Sequence, residues 1–186
     1  MQPCRPWLCQ GDVFGSLPYP KPVLSGDGAV SFRQVYTAAL LLTENCQLDK
    51  RDMVDGTAVH RISRLSFAPL HSINDVNENV QSLLRDTFSI DPPEGVYLDD
   101  VDGQECFAML GEAFWLPAPF FSPRLEDFSK EPDVGSDPLR LVATRNDVRV
   151  CGMCVSERIL LNDKMHVFWT ATKRRGSELV RQDPLD

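Results

Sequence analysis

The sequence Ala38-Ala39-Leu40-Leu41-Leu42-Thr43-Glu44-Asn45-Cys46-Gln47-Leu48-Asp49-Lys50 contains the sharpest transition in the chain. Its uninterrupted apolar run stops at a polar cluster that holds a thiol, two carboxylates and a lysine. A short apolar run bounded by polar residues is typical of a strand that is buried on both faces. We therefore predict a buried strand at Ala38–Leu42. We expect working side chains in the loop after it, because loops at strand ends combine rigid anchoring with solvent access.

Composition indicates an ordinary globular protein. The chain has 186 residues, of which 42% are hydrophobic and 25% charged, so we expect one domain that folds without a metal or a disulfide. The net charge of −8 disfavours non-specific binding to nucleic acid, which depends on Lys and Arg neutralising phosphates. A local basic groove stays compatible with that charge.

The sequence also bears on location and cofactors. No apolar stretch approaches the roughly 20 residues of a membrane span, and residues 1–10 lack the apolar segment of a signal peptide. We therefore expect a cytoplasmic protein without membrane contact, in which cysteines stay reduced. There is no Gly-rich phosphate loop, and we expect no cofactor. The cysteines are Cys4, Cys9, Cys46, Cys106, Cys151 and Cys154.

Periodicity and turn signals predict about seven short strands and two helices. Short strands separated by turns favour a mainly β fold with α, a small barrel over residues 1–175. A helix at 73–88 is inserted in it, a helix at 156–173 closes it, and 176–186 form a flexible tail. The predicted strands are Gly11–Phe14, Phe32–Thr43, Val59–Leu70, Val96–Leu98, Glu105–Leu110, Leu139–Ala143 and Val148–Cys154. The predicted non-strand segments are a charged turn at 49–57, an edge or extended segment at 114–121 and an acidic surface loop at 123–138.

The order of these signals resembles the MazF/PemK toxin family. The resemblance lies in Gly11-Asp12-Val13 at the first strand, in the apolar strand Ala38–Leu42, in Phe67-Ala68-Pro69-Leu70-His71-Ser72 and in the final helix. It implies an SH3-like barrel, cleavage of single-stranded RNA and a two-fold homodimer. A second likeness, to a group of uncharacterised bacterial proteins, rests on Cys46–Lys50, on Trp115-Leu116-Pro117 and on the same helix.

The toxin resemblance suggests three catalytic candidates. In that family an Arg after the first strand and a Thr in a Pro-x-Thr-Ser turn serve RNA cleavage. The nearest residues here are Arg33 and His71, with Ser72 next to it, so a histidine stands where the family has Thr. A histidine can act as acid or base near neutral pH, and Arg33 or Arg61 can stabilise a developing phosphorane charge. Alternatively, Ser72 caps a helix and His71 is a solvated loop residue.

The polar cluster after the apolar strand, Glu44, Cys46, Asp49 and Lys50, supports two chemical interpretations. A lysine lowers the pKa of a nearby thiol and favours a reactive thiolate. The two carboxylates with a lysine also imitate a magnesium-dependent nuclease site. The structural alternative is a strand end with a small buried thiol and solvated charges.

Two further motifs carry competing interpretations. Cys151-Gly152-Met153-Cys154 has zinc-ligand spacing if Gly152 supplies a turn, and otherwise holds partly buried cysteines. The aromatic stretch with Phe114, Trp115, Phe120 and Phe121 is either a docking surface or packing over the open end of the barrel.

Two hypotheses of function follow. The first is a non-catalytic SH3-like barrel that binds a protein partner, in a toxin-related or phage-defence setting. The second is a MazF-like endoribonuclease that cleaves single-stranded RNA with His71, Ser72 and Arg33.

Overall fold

The structure is a computed structural model that describes residues 1–26, 28–86, 90, 93–131, 137–144 and 148–180, with side chains described to residue 171. The strands in these ranges are β1 (Asp12–Leu24), β2 (Val30–Leu41), β3 (Arg51–Val54), β4 (Thr57–His60), β5 (Arg64–Ser72), β6 (Gly95–Val101), β7 (Gln104–Met109), β8 (Phe114–Pro117), β9 (Arg124–Asp127), β10 (Leu139–Val142) and β11 (Arg149–Gly152). The α-helices are α1 (Asn45–Leu48), α2 (Glu78–Arg85) and α3 (Val155–Val180). Short 3-10 turns span Ile73–Asp75, Leu110–Glu112 and Ala118–Phe121.

The main sheet is antiparallel and open. Its strand order is β11-β1-β2-β5-β7-β6. β8 pairs with the first half of β5, and β7 pairs with its second half. Within the described chain the end strands β11 and β6 pair with no further strand, so this sheet does not close on itself. The mainly β fold with a C-terminal helix is confirmed, whereas closure into an SH3-like barrel is not seen.

The apolar run in β2 is buried on both faces, as predicted. Successive side chains of a strand point to opposite faces, and they enter two different cores here. Ala39 and Leu41 belong to a first core, and Leu40 and Leu42 belong to a second core that α3 covers with Leu161. The first core also contains Leu17, Phe14, Phe67, Phe121 and Leu141. The second core also contains Val13, Ala68, Val96, Leu98, Ala108 and Leu110.

Asp-Gly turns form two of the hairpins. In the β3–β4 turn Asp55 and Gly56 have φ of 49° and 77°, and in the β6–β7 turn Asp102 and Gly103 have φ of 55° and 77°. Two-residue hairpin turns favour positive φ at both positions, which Asp and Gly tolerate. The predicted charged turn at 49–57 was therefore wrong in extent, because most of it is strand.

Other strand predictions also need correction. β1 runs to Leu24, well past the predicted end at Phe14. The predicted strand Val59–Leu70 is two strands, β4 and β5, and the predicted acidic loop contains β9, which pairs with β10. Whether a short segment rich in charge or proline forms a strand depends on the strands that pair with it. A local sequence pattern carries no information about those partners.

Both predicted helices differ from their predicted bounds. The segment predicted as helix 73–88 begins with a 3-10 turn, and α2 starts later with Asn77 as its cap, whose Oδ1 accepts from Val80 N at 3.1 Å. The end of that predicted helix lies outside the described residues. α3 continues to Val180, so the first part of the predicted tail is helical, whereas 181–186 lie outside the described residues. No helix in the described part of the chain has the length and apolar character needed to cross a bilayer.

β1 and β2 project beyond the sheet as a two-stranded arm, residues 17–24 and 30–37. The two strands pair with each other from Leu17 with Thr37 to Leu24 with Val30. By contrast, the pairing of β11 with β1 stops at Phe14, and the pairing of β5 with β2 stops at Ala39. The arm is therefore a ribbon without a described neighbour on either edge.

Candidate functional site

A groove of about 720 Å³ lies where the end of β2, the loop before β5, β8 and α3 meet. We call it the tryptophan groove, defined by Lys50, Arg61, Arg64, Trp115 and Trp169, which all line it. Its floor includes residues of the two cores, so the polar and aromatic side chains stand on rigid packing.

The register of β5 and β8 holds Arg64 against Trp115. Ser66 lies directly opposite Trp115, and Arg64 lies on the same face of β5 two residues earlier. This diagonal brings the Arg64 guanidinium carbon to 5.3 Å from the centre of the Trp115 ring. A cation at that distance is attracted to the ring face. Trp115 nevertheless stays 56% exposed, because β8 turns its neighbour Phe114 into the first core instead.

The groove carries an excess of positive charge. Lys50, Arg61 and Arg64 stand against one lining carboxylate, Glu44. Lys50 Nζ donates to Gln47 Oε1 at 3.0 Å, and Arg61 Nε lies 3.8 Å from Asp52 Oδ1 in an exposed ion pair. An exposed pair of this kind contributes little energy, which leaves the guanidinium available to an incoming carboxylate.

A second cavity, of about 700 Å³, continues the groove along α3. Glu44, Met165 and Trp169 line both cavities, and Cys46 and His166 line only the second. Met165 and Trp169 of α3 therefore form a wall that is common to both cavities.

The predicted polar cluster is split between these cavities. Glu44 and Lys50 line the groove and Cys46 lines its continuation, but Asp49 lines a different cavity beside Arg158. The reason is the helical turn α1, which rotates successive side chains away from each other. Among the described residues no group of His, Cys, Asp and Glu has the arrangement of a metal site.

The Cys46 thiol is hydrogen-bonded to the neighbouring Glu44 carboxylate. Cys46 Sγ donates to Glu44 Oε2 at 3.3 Å, and this hydrogen bond raises the pKa of the thiol above its ordinary value. Lys50 acts in the opposite direction but more weakly. A hydrogen bond donated to a carboxylate stabilises the protonated thiol, and the reactive-thiolate interpretation stays a prediction.

The three catalytic candidates do not converge. His71 Nε2 lies 3.2 Å from Glu112 Oε2 and its ring stacks on Phe107 at 5.4 Å. Ser72 is the next residue of the strand, so its side chain points to the opposite face, where its Oγ accepts from Asn74 N at 3.3 Å. Arg33 is exposed in the arm, opposite Lys21 of β1. Ser72 thus caps the 3-10 turn Ile73–Asp75 and not the α-helix, whose cap is Asn77.

His71 lines a separate cavity of about 370 Å³ under α2. The cavity is largely apolar, and Glu112 at its edge also accepts a hydrogen bond from Tyr19 OH at 3.3 Å. Glu112 is therefore bound to two neighbours. Its contacts with His71 of β5 and Tyr19 of β1 link the 3-10 turn after β7 to both strands.

The aromatic stretch is divided between core and surface. Phe114 and Phe121 are buried in the first core, and Phe120 is partly buried against it. These three rings pack in or against the first core of an open sheet, and Trp115 is the one exposed ring of the four.

Cys151 and Cys154 belong to different elements. Cys151 is in β11, where burial raises the pKa of its thiol to about 11. Cys154 precedes α3, and its Sγ lies 3.0 Å from Ser156 Oγ. A structural zinc site takes four ligands, and among the described residues no group of three or more His, Cys, Asp and Glu forms one around these cysteines.

Sequence reasoning missed the α3 side of the groove. Met165 and Trp169 are one helical turn apart, so they share a face of α3. Met165 and Phe168 pack against the second core and mark the core face of α3. The signal in the sequence that could have found the groove is Trp169, a large aromatic residue beside the core face of the helix. Comparisons of the chain with protein-family models, with curated proteins and with solved structures find no match.

Proposed function

We propose that the protein is a non-catalytic binding module, and that its tryptophan groove holds an extended segment of a partner protein. The segment carries an acidic residue next to an aromatic or large apolar residue. The observation that carries this proposal is Arg64 placed over an exposed Trp115 at the edge of a cavity of about 720 Å³.

The residue types in the groove support protein recognition. Trp and Arg are enriched among the residues that contribute most to binding energy in protein interfaces. Trp115 and Trp169 are 56% and 42% exposed, which is a large apolar area to leave in water on two side chains of one groove. A partner side chain inserted between them would remove that area from water and gain about 25 cal/mol for each Å² buried.

The charge of the groove supports an acidic partner. The whole chain has a net charge of −8, yet the groove presents three cations and one carboxylate. Arg64 and Arg61 can each form a bidentate pair with a carboxylate. Local positive charge in an acidic protein favours an acidic ligand and disfavours self-association at the same surface.

Separation of the catalytic candidates supports a non-catalytic role. His71 and Ser72 point to opposite faces of β5, and Arg33 is in the arm. The endoribonuclease alternative, the SH3-like barrel and the toxin-related or phage-defence setting rest on the sequence motifs. RNA is therefore included as a competing ligand in the test, since aromatic and cationic side chains also stack and neutralise single strands.

The experiment begins with selection of random displayed peptides on the immobilised protein. Selected peptides are then measured by fluorescence anisotropy alongside a labelled single-stranded RNA, with and without EDTA. We expect peptides that combine acidic and aromatic residues. Arg64→Ala and Trp115→Ala should each weaken their binding by about tenfold or more, which is about 1.4 kcal/mol. Arg124→Ala removes an exposed arginine outside the groove and is the matched control.

Four outcomes contradict the proposal. Selection that yields no sequence preference, or peptides whose binding ignores both groove variants, removes the groove from function. Tight RNA binding that both groove variants abolish assigns the groove to nucleic acid. Cleavage of RNA that His71→Ala abolishes restores the endoribonuclease.

A further inference from the structure

A third cavity, of about 170 Å³, is lined by three arginines. We call it the arginine cavity, defined by Arg5, Arg140 and Arg158. They come from three separate parts of the chain, since Arg5 precedes β1, Arg140 is in β10 and Arg158 is near the start of α3. Asp49 is the one carboxylate among the described residues that line the cavity. This lining therefore has a net charge of +2, in a chain whose net charge is −8.

Backbone hydrogen bonds hold the segment that carries Arg5 next to β10. Leu8 N donates to Leu141 O at 2.8 Å, and Leu141 follows Arg140 in that strand. The buried Arg149 side chain also donates to the backbone oxygen of Arg5. The fold therefore places the first two arginines beside each other, although 135 positions separate them in the sequence.

Two of the three guanidinium groups lack a counter-ion. In the described part of the chain, neither Arg5 nor Arg158 forms an ion pair with a carboxylate. All three arginines of the cavity are half-buried, so the repulsion between their charges is screened less than it would be on an open surface. Arg158 also lies near the N-terminal end of α3, where the helix dipole is itself positive. An anion in the cavity would relieve this repulsion.

The buried carboxylate Asp12 does not neutralise the arginine cavity. Burial raises the pKa of Asp12 to about 6, and Arg149, Arg158 and Arg5 oppose that shift through their charges. These effects show that the arginines act on one carboxylate together. Asp12 forms its ion pair with Arg149, at 3.5 Å, and acts on Arg5 and Arg158 from beyond ion-pair distance. One shared carboxylate leaves the cations of the cavity in excess.

We propose that the arginine cavity binds a phosphate group, either as the free ion or as the monoester of a small molecule. A phosphate monoester carries a charge of about −1.5 to −2 near neutral pH and has three strong acceptor oxygens. That charge complements the net charge of the lining, and three oxygens can accept from three guanidinium groups. Arginine binds phosphate through pairs of parallel hydrogen bonds. A carboxylate brings one charge and two oxygens, so it satisfies fewer of these donors.

The size and the remaining polar lining of the cavity also fit a phosphate. Pockets for drug-sized ligands have volumes of about 300–1,000 Å³, whereas this cavity has about 170 Å³. It therefore admits one small group, and the rest of a monoester would lie outside it. Asn45 also lines the cavity, and its Oδ1 accepts from Gln10 N at 2.8 Å. The amide nitrogen of Asn45 is then a further donor for a phosphate oxygen.

The proposal does not rest on the tryptophan groove, whose defining residues do not line this cavity. Its test is calorimetric titration of the full chain with inorganic phosphate, glycerol 3-phosphate and acetate at constant ionic strength. We expect at least one phosphate compound to bind tenfold or more tightly than acetate, and the tighter of the two identifies the free ion or the monoester as the ligand. Arg158→Ala should weaken that binding by tenfold or more. Arg124→Ala removes an exposed arginine outside the cavity and is the matched control.

A second measurement on the native protein covers the case that Arg158→Ala disturbs folding. In an NMR titration with phosphate, the Nε–H signals of Arg5, Arg140 and Arg158 should shift together and saturate, while that of Arg124 stays in place. The proposal is overturned by the absence of saturable binding below about 10 mM, by equal affinity for acetate, or by binding that Arg158→Ala leaves intact. Phosphate that shifts none of the three signals overturns it as well. Single-stranded RNA without terminal phosphates that displaces the ligand would assign the cavity to nucleic acid instead.

Discussion

Asp12 Oδ2 and Arg149 Nε lie 3.5 Å apart in an ion pair whose two side chains are each only 3% exposed. Asp12 Oδ2 also accepts from Cys9 N at 2.9 Å, and Arg149 donates to the backbone oxygens of Arg5 and Trp7. The pair therefore joins β1 to β11 and anchors the N-terminal segment across them. Removing the two charges from water costs free energy that offsets much of their Coulomb attraction.

The stability of the protein should depend on pH through Asp12. Burial raises the pKa of this carboxyl from 3.8 to about 6, although Arg149 opposes the shift. Between these values the folded state holds a proton that the unfolded state releases, so this group's contribution to the free energy of unfolding falls as pH rises from about 4 to about 6.

The measurement is urea unfolding of the native protein and of Asp12→Asn at a series of pH values. The difference between them should shift in favour of the variant across that window, by an amount of the order of 1–3 kcal/mol, and should be constant above it. A constant difference, or a shift in favour of the native protein, would contradict the assignment.

Lys164 should contribute to stability through its stem as well as its charge. This side chain of α3 is buried, and its Nζ donates to Gly95 O at 2.9 Å at the start of β6. Lys164→Ala leaves a cavity and deprives that carbonyl of a donor, so we expect a loss of about 2–4 kcal/mol in thermal or urea unfolding.

Lys164→Met separates the two contributions. It restores most of the buried volume without the hydrogen bond, and should cost less than the alanine variant. Asp163→Ala changes an exposed residue of the same helix and should stay within about 0.5 kcal/mol of the native protein. Equal losses for Ala and Met would show that packing of the stem contributes nothing.

Gly11 should tolerate no side chain. Its φ is +87°, and a Cβ built on it would lie 2.8 Å from Cβ of Met153. Gly11→Ala therefore meets both backbone strain and a collision with a buried residue, and should destabilise the fold by about 2 kcal/mol or more. Gly103→Ala is the matched control, because Gly103 has φ of +77° with open space around it. It should cost only the backbone strain, about 1 kcal/mol, in the same unfolding assay. Similar losses for the two variants would exclude the collision with Met153.

The Cys46 thiol should be accessible but slow to react. Its hydrogen bond to Glu44 raises its pKa, and the thiolate is the species that alkylates. We expect iodoacetamide to modify Cys46 more slowly than it modifies an unstructured cysteine at neutral pH. Peptide mass spectrometry measures the rate of modification. Glu44→Gln should speed the reaction several-fold, and Asp49→Asn should leave it unchanged. An unaltered rate in Glu44→Gln would show that the carboxylate does not control the thiol.

Local sequence patterns predicted the parts of the fold that depend on near neighbours. The apolar run Ala38–Leu42 is buried on both faces, as such a run must be to leave water. Ser72 was predicted to cap a helix, and its hydroxyl accepts a hydrogen bond from Asn74 N, but the element it caps is the 3-10 turn before α2. By contrast, the extension of β1 through Pro18, Pro20 and Pro22 was missed. Prolines in a sequence usually indicate that a strand ends. Here the strand can continue because the proline nitrogens point away from the paired strand β2 and need no hydrogen-bond partner there.

The candidate site depends on contacts between residues that are far apart in the chain. Trp115 was singled out from composition, but Arg64 meets it only because β5 pairs with β8 in one register. Trp169 reaches the same groove because α3 lies on the second core. The sequence by itself determined which segments must be buried, since hydrophobic burial follows from residue type and period. Only the tertiary structure decided which exposed side chains share a surface, because strand register and helix placement are set by packing across the whole core.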